Sequence, residues 1–245
     1  NFGEEIAGGR VQPLSEDAAD VDEWNEVWLR FEGRTWLELP WYFAEAYFYR
    51  RLLEAVDYFQ QGPLKGQDPF LASKLEQLTE SIAPLSLAID GMNRIEAPQL
   101  CFENLLHASL WGNRVDLSNL TVADEVRRRQ AMVERENLLI DDFPKISEIF
   151  KERHFSHIAF INDNVGIELG FDLFLSDFLL RNGWADKITL YLKPFPFFVS
   201  DAMPKDLWET LQALTKASGS SLGRLGKRIE AAFSDGSLLL SDDWF

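Results

Sequence analysis

The sequence predicts an α/β protein: an α/β/α sandwich with a largely parallel central sheet, preceded by an N-terminal helical subdomain. Three observations predict this class. Helix-like apolar spacing fills the first half of the chain, strand and helix patterns alternate in the second half, and 46% of the 245 residues are hydrophobic. We expect residues 1–35 to form an extension or linker, residues 36–110 the helical subdomain, and residues 111–245 the α/β metal-binding domain.

The composition narrows the class of protein. The 40 acidic and 24 basic residues give a net charge of −16, which disfavours broad contacts with nucleic acid or with an anionic membrane. The chain has no apolar run of the roughly 20 residues that a membrane helix needs, and its start lacks the features of a signal peptide. Cys101 is the single cysteine, and we expect a buried thiol. We therefore expect a cytoplasmic protein, with the nucleus also open; the oligomeric state stays open.

The first half of the chain shows three helical patterns. They cover residues 38–59, which are rich in aromatic side chains, residues 69–92 and residues 98–113. Gly62-Pro63 and Pro98 mark the loops between them. A charged segment over 122–142 has opposite charges at spacings of three and four, which predicts a solvent-facing helix that leads into the second half.

The second half alternates strands and helices. We predict a short buried strand in 157–164, an amphipathic helix over 166–183 and a second buried strand within 186–201. Two more helices, over 204–218 and 222–236, precede a last strand that begins at residue 237. This order is typical of parallel strands joined by helices.

Oxygen-bearing side chains follow the first two of these strands. Asp163 and Asn164 lie where the first strand ends and a helix begins, and Asp201 closes the second stretch. Because the carboxyl ends of neighbouring parallel strands meet at one edge of a sheet, we expect these side chains to converge. Two carboxylates and an amide oxygen suit a hard divalent cation such as Mg²⁺ or Mn²⁺.

Two further charged residues belong to the same segments. Lys193 could neutralise the charge of a phosphate group, and Glu168, in the first turn of the predicted helix, would point at the same edge. A cation there would polarise a phosphoryl oxygen and activate water. The pattern indicates metal-dependent hydrolysis of a phosphate ester.

Purely structural roles stay open for these residues. Asp163, Asn164 and Asp201 are of the types that cap helices, and an acidic residue such as Glu168 is favoured in a first turn by the helix dipole. The presence of acidic side chains at two adjacent strand ends favours the metal site over two unrelated caps.

A family resemblance follows from these motifs. FINDNVGIEL at 160–169, with KPFPFFVSD at 193–201, resembles the damage-control phosphatase family, also known as domain of unknown function 89. LWGNRVDLS at 110–118 is similar to the Gly-Asn-x-x-Asp segment of that family. Residues 36–51 resemble the aromatic helix of its eukaryotic sugar-phosphate branch, which includes proteins like the acidic residue methyltransferase. The resemblance covers about residues 36–245.

The resemblance implies hydrolysis of small phosphorylated metabolites, such as fructose 1-phosphate and related sugar phosphates, with a divalent metal ion as cofactor. Manganese (Mn²⁺) or magnesium (Mg²⁺) is expected, with Co²⁺ and Ni²⁺ also open. By the same resemblance, the metal ligands and catalytic residues would be Asp163, Asn164 and Asp201, and the residues around the substrate would be Glu168, Lys193, Asn113 and Asp116.

One part of the family pattern is missing from this chain. The branch carries an Arg-Thr-x-Lys motif near its C-terminus that helps to hold the substrate phosphate, and the chain ends at Phe245 before the equivalent place. Arg224 and Lys227 match only the outer residues of that motif and lie in a predicted surface helix, so we interpret them as solvated. We therefore expect part of the substrate pocket to be absent from this chain.

Three other functions remain as alternatives. The same branch implies methyl transfer from S-adenosylmethionine to protein carboxyl groups, but the sequence has no glycine-rich loop for that cofactor. An aspartyl-phosphate mechanism needs a second Asp two residues after the first, where this chain has Val165. The third alternative is a non-catalytic binding module that a metal stabilises.

Overall fold

The computed structural model describes residues 2–111, 138–217 and 219–243. The chain divides into two compact units, Asn1–Ala72 with Phe195–Val199 and Ser73–Pro194 with Ser200–Phe245. Asn113, Asp116 and most of the helix predicted over 122–142 lie outside the described residues. Among the helices that are described, none has the length and apolar character needed to cross a bilayer.

The first unit is helical. Its helices are α1 (Phe2–Ile6), α2 (Val21–Trp28) and α3 (Trp41–Ala55), with 3-10 turns at Leu29–Phe31 and Trp36–Glu38. Helix α3 begins directly after Pro40, whose ring favours the start of a helix. The predicted aromatic helix is thus present, and it begins later than the pattern over 38–59.

The segment predicted as an extension takes part in the core of this unit. Val11, Leu14 and Trp28 are buried together with Tyr47 of α3. Trp28 Nε1 donates a 3.1 Å hydrogen bond to Val11 O. The polar composition of residues 1–35 hid this packing, because only a few apolar side chains in the segment reach the core.

Two acidic residues of the N-terminal segment, Glu16 and Asp20, neutralise a buried cation. Arg50 is fully buried, with Nη1 at 2.6 Å from Glu16 Oε1 and Nε at 2.6 Å from Asp20 Oδ2. Its guanidinium carbon lies 4.6 Å from the centre of the Phe59 ring. A buried Arg requires such partners, since an unpaired charge in the interior is strongly destabilising.

The second unit combines helices with a parallel sheet. Its elements are α4 (Leu71–Met92), which starts at the unit boundary, α5 (Pro98–Trp111), α6 (Phe143–Glu152), β1 (Ile158–Ile161), α7 (Ile167–Arg181), β2 (Ile188–Tyr191), α8 (Pro204–Lys216), α9 (Ser221–Asp235) and β3 (Leu238–Ser241). The sequence predicted each of these except α6.

The described strands form one sheet in the order β1-β2-β3, with both pairs parallel. Ile161, Tyr191 and Ser241 lie side by side, so the three strands end level at one edge. The predicted α/β class and parallel sheet are confirmed. Strand β2 is buried as predicted, whereas β1 lies at the edge of the described strands with Ile161 71% exposed, so the prediction of a buried first strand was wrong.

Helix α7 is buried on all sides, and the prediction that it is amphipathic was wrong. Every residue from 169 to 179 is buried, including Asp172 and Asp177. Arg228 of α9 donates two 2.7 Å hydrogen bonds to the Asp177 carboxylate. Asp177 is therefore buried and paired with Arg228 rather than exposed on a polar face of the helix.

Local signals set the ends of the last two helices. Pro204 is the first residue of α8, and Asp206 Oδ2 accepts a 2.9 Å hydrogen bond from Met203 N. Ser220 caps α9 through a 3.0 Å bond from Gly223 N, and the helix ends at Gly236, which has φ +80°. These signals are visible in the sequence, which explains why both helices were predicted.

Cys101 lies in the core of the second unit, as the sequence predicted. Burial raises the pKa of its thiol to about 11. The thiol is therefore a packing group in this structure.

Candidate metal and phosphate site

The chain leaves β1 through a tight turn that carries Asp163 and Asn164. Asn162 N donates a 3.1 Å hydrogen bond to Tyr191 O, which continues the pairing with β2 by one residue. Gly166, the residue directly before α7, has φ +79°. A Cβ at this position would lie 3.3 Å from the backbone oxygen of Gln77. Glycine is required at this turn, because its backbone adopts this conformation without strain.

The second acidic residue reaches the site by a longer route than the sequence predicted. Strand β2 ends at Tyr191, whereas Asp201 comes only after the proline-rich loop. Pro194 and Pro196 have no N–H group, so the chain cannot continue a regular ladder there. Asp201 therefore is not part of an extended β2. The loop after β2 leads the chain back to the edge of the sheet, where Asp201 lies.

The returning segment lies between the continuations of the two strands. Lys193 N donates a 2.9 Å hydrogen bond to Ala202 O, and Ala202 N donates one of 2.6 Å to Asp163 O. Asn164 and Asp201 form an isolated antiparallel bridge beside these bonds. The structure thus brings the three predicted ligands together at the carboxyl edge of the sheet.

The two carboxylates at this edge, Asp163 and Asp201, differ in burial. Asp201 is 4% exposed, and Asp163 is exposed. Burial and the negative charge of Asp163 raise the pKa of Asp201 to about 7, although Lys193 and Lys74 act to lower it. Lys193 Nζ lies 3.7 Å from Asp201 Oδ2. A bound cation would relieve the repulsion between the two carboxylates.

Glu168 lies against Asn164. Asn164 Nδ2 donates hydrogen bonds to Glu168 Oε2 at 3.2 Å and to Asp163 Oδ2 at 3.1 Å. Its Oδ1 accepts a 2.5 Å hydrogen bond from Ser200 Oγ. Burial raises the pKa of Glu168, while the bonds from Asn164 act to lower it. In this arrangement Glu168 orients the amide of Asn164.

The donor set fits a hard divalent cation, because carboxylate and amide oxygens are the ligands that such ions prefer. Within the described ranges, no group of three or more His, Cys, Asp or Glu side chains is placed to hold a metal. The candidate set in the described part of the chain has two carboxylates, Asp163 and Asp201, and the amide of Asn164. Water and phosphate oxygens would complete the coordination, as is usual for Mg²⁺.

Sequence reasoning singled out neither Ser200 nor the buried pair Asn162 and Asp172, which contact the turn or lie behind it. Ser200 has a signal in hindsight, since it directly precedes the acidic residue of the returning segment. Asp172 has another: it is an acidic residue within an otherwise apolar stretch of α7, one turn after Glu168.

The comparisons with known proteins agree with these motifs. A family model described as the damage-control phosphatase ARMT1-like domain matches residues 6–245. The protein named damage-control phosphatase ARMT1 in Danio rerio is 28% identical over 96% of this chain and 58% of its own length. The protein of the same name in Homo sapiens is 30% identical over 79% of this chain and 50% of its own length.

A solved structure, a DUF89 family protein from Pyrococcus horikoshii, is 18% identical, with a TM-score of 0.47, over 92% of this chain and 66% of that chain. The chain spans between 50% and 58% of the length of the two curated relatives above. Because the family model covers nearly all of it, the chain belongs to the damage-control phosphatase ARMT1-like domain family, which confirms the resemblance seen in the sequence.

Proposed function

We propose that this chain carries the catalytic region of a divalent-metal-dependent phosphatase acting on small phosphate monoesters, with sugar phosphates such as fructose 1-phosphate as the substrate class. One observation carries the proposal: Asn164 and Asp201 pair across the sheet edge beside Asp163, with the Lys193 ammonium group close by. Membership of the damage-control phosphatase family supports it.

The acidic residues would hold the cation. Asp163 and Asp201 offer carboxylate oxygens, and Asn164 offers its amide oxygen. A divalent cation bound there neutralises phosphate charge and activates water for cleavage of the ester. In this structure Asn164 Nδ2 faces Glu168 and Asp163, so the amide would have to turn over for its oxygen to bind a cation beside the Asp163 carboxylate.

Lys193 would act on the substrate. Its ammonium group lies 3.7 Å from Asp201 Oδ2, so a phosphate beside that carboxylate would lie within reach of the positive charge. A fixed cation at this place favours the negative charge that develops on the phosphoryl oxygens. The proposal thus assigns substrate contact to Lys193 and orientation of a ligand to Glu168.

A phosphatase assay tests this proposal. Phosphate release from fructose 1-phosphate is measured with Mn²⁺, Mg²⁺, Co²⁺ or Ni²⁺ and with a chelator. The wild type and Asp163→Ala are each tested as this chain and as a chain extended past Phe245. We expect activity only with a metal, and a loss in kcat of about 10²-fold or more in the variant. Asp163 is exposed, so thermal unfolding of the variant should stay close to that of the wild type.

Asp186→Ala is the matched control, because Asp186 is also an exposed acid that follows a loop but lies before β2 rather than after it. It should keep full activity. Unchanged turnover in Asp163→Ala would refute the role of Asp163 as a metal ligand in this site. Binding of S-adenosylmethionine by the wild type without any phosphate release would favour methyl transfer instead.

A further inference from the structure

A buried carboxylate lies behind the candidate metal site. Asp172, one turn after Glu168 in α7, is 7% exposed. Ser109 Oγ donates a 2.5 Å hydrogen bond to Asp172 Oδ1, and Asn162 Nδ2 donates one of 2.8 Å to Oδ2. Each carboxylate oxygen thus accepts from a different segment of the chain, as an ionised carboxylate can.

The two donors lie just after the end of β1 and near the end of α5. Asn162 is the residue directly before Asp163. Ser109 lies in the last turn of α5, which leads towards Asn113 in the sequence. Asp172 therefore links the turn after β1 to the end of α5.

Among the described residues, the side chain of Asn162 makes its hydrogen bond to Asp172. Asn162 is 1% exposed, and among the described residues its Oδ1 is buried without a hydrogen-bond partner. An apolar side chain at this strand end would avoid that unsatisfied oxygen. The hydrogen bond to Asp172 therefore gives a reason for an amide at this position.

The negative charges of the candidate metal site also affect the pKa of Asp172. Burial raises the pKa of Asp172 to about 6, the bonds from Ser109 and Asn162 act to lower it, and the negative charges of Glu168 and Asp163 add to the increase. The carboxylate is thus close enough to the candidate site for the charges there to act on it.

We propose that Asp172 is a positioning residue for the candidate metal site. Its hydrogen bonds with Asn162 and Ser109 hold the turn after β1 against the end of α5. They thereby fix the positions of Asp163 and Asn164. Outer hydrogen-bond partners of this kind orient metal ligands, and their loss typically lowers metal affinity about 10–100-fold. This inference rests on the proposed function.

The first test compares two variants at buried carboxylates of the same helix. Asp172→Ala should lower Mn²⁺ affinity, measured by calorimetry, about 10–100-fold. Asp177→Ala is the matched control, because Asp177 is equally buried but pairs with Arg228. Asp177→Ala should reduce thermal stability but keep the Mn²⁺ affinity within about 3-fold of the wild-type value. This change is small compared with the loss of about 10–100-fold expected when a hydrogen-bond partner of a metal ligand is removed.

The second test needs no metal. Hydrogen exchange of the metal-free chain should become faster over residues 162–166 in Asp172→Ala, with unchanged exchange in β2 and α9. Asp172→Asn should lose less, because its oxygen still accepts from Ser109 and its amide group can donate to the Asn162 oxygen after that side chain turns over. Where Asp172→Ala does not fold, Asn162→Ala removes the same hydrogen bond and should give the same local change.

The outcomes separate the two proposals. Equal losses of Mn²⁺ affinity in the Asp172 and Asp177 variants, or unchanged exchange over 162–166, overturn the positioning role. A wild-type chain that binds no Mn²⁺ overturns the proposed function, and the exchange experiment then decides alone whether Asp172 holds the turn.

Discussion

Ser200 Oγ donates a 2.5 Å hydrogen bond to Asn164 Oδ1 across a separation of 36 residues. The backbone oxygen of Ser200 also accepts a 2.8 Å hydrogen bond from Val165 N. Together these bonds fasten the turn after β1 to the segment that carries Asp201. The spacing of the candidate ligands thus depends on contacts between residues far apart in the sequence.

Replacing this serine should weaken metal binding without unfolding the protein. Ser200→Ala removes the donor to Asn164 Oδ1, so the amide is less well oriented, and we expect Mn²⁺ affinity to fall about 10-fold. Ser234→Ala is the control, since Ser234 Oγ donates to Glu230 O on the exposed face of α9, within one helix. Equal Mn²⁺ affinities in both variants, measured by calorimetry, would contradict the role of Ser200.

The acidic site should make the metal-free protein less stable as the pH rises. The pKa of Asp201 is raised from 3.8 to about 7, so the native state binds its proton more tightly than the unfolded state does. This destabilisation is absent below pH 3.8, grows between pH 3.8 and about 7, and is complete above that range. At pH 8, Asp201→Asn should therefore raise the free energy of unfolding by about 1–3 kcal/mol, with little change at about pH 4.

Urea unfolding with a chelator at acidic, neutral and alkaline pH measures this difference. Mn²⁺ should reverse the ranking at alkaline pH, because a ligand that binds the native state stabilises it and the variant lacks one carboxylate. A variant that is no more stable than the wild type under metal-free alkaline conditions would refute the prediction.

A buried ion pair near the site should contribute far more stability than an exposed one. Lys74 Nζ lies 2.9 Å from Asp206 Oδ2, and both side chains are at most 4% exposed. Lys74→Ala leaves the Asp206 charge buried without this partner and should cost about 3–5 kcal/mol of unfolding free energy. The exposed pair of Lys205 and Glu209, 3.9 Å apart, is the comparison, and Lys205→Ala should cost less than about 1 kcal/mol.

Chemical denaturation of both variants decides this prediction. Losses of similar size would mean that burial of the Lys74 pair does not matter for stability. A double variant that also replaces Asp206 with Asn should recover part of the loss, because no isolated charge then remains and the amide oxygen can still accept from Met203 N.

The close contact between α7 and α4 predicts a steric effect. A Cβ at Gly170 would lie 2.8 Å from Leu85 Cδ2 and 3.1 Å from its Cγ, and Leu85 is fully buried. Gly170→Ala should therefore cost about 1–2 kcal/mol, since crowding outweighs the better helix propensity of alanine. Gly62→Ala has open space around the new Cβ and should stay within about 0.5 kcal/mol of the wild type.

Thermal or urea unfolding measures both glycine variants. Adding Leu85→Ala to Gly170→Ala should cost less than the sum of the two single changes, because the smaller side chain makes room for the new methyl group. Strict additivity would show that the two positions do not compete for space.

The order of elements could be predicted because local patterns set it. Pro204, Ser220 and Gly236 mark the ends of α8 and α9. The run that becomes β2 follows the charged pair Asp186-Lys187 and is followed by a proline-rich stretch. The sequence also singled out Asp163 and Asn164, since a carboxylate and an amide directly follow a strand. These features depend on neighbouring residues, so no tertiary contact was needed to find them.

Tertiary structure decided the rest, for a common physical reason. The return of Asp201 between two strands, the core contacts of residues 1–35 and the burial of Asp172 all depend on hydrogen bonds and packing between residues far apart in the chain. Residue type shows that a carboxylate is polar, but burial depends on whether folding brings a donor to it. The sequence by itself thus determined which residues have the chemistry of a metal site, and the fold decided which of them meet and what holds them in place.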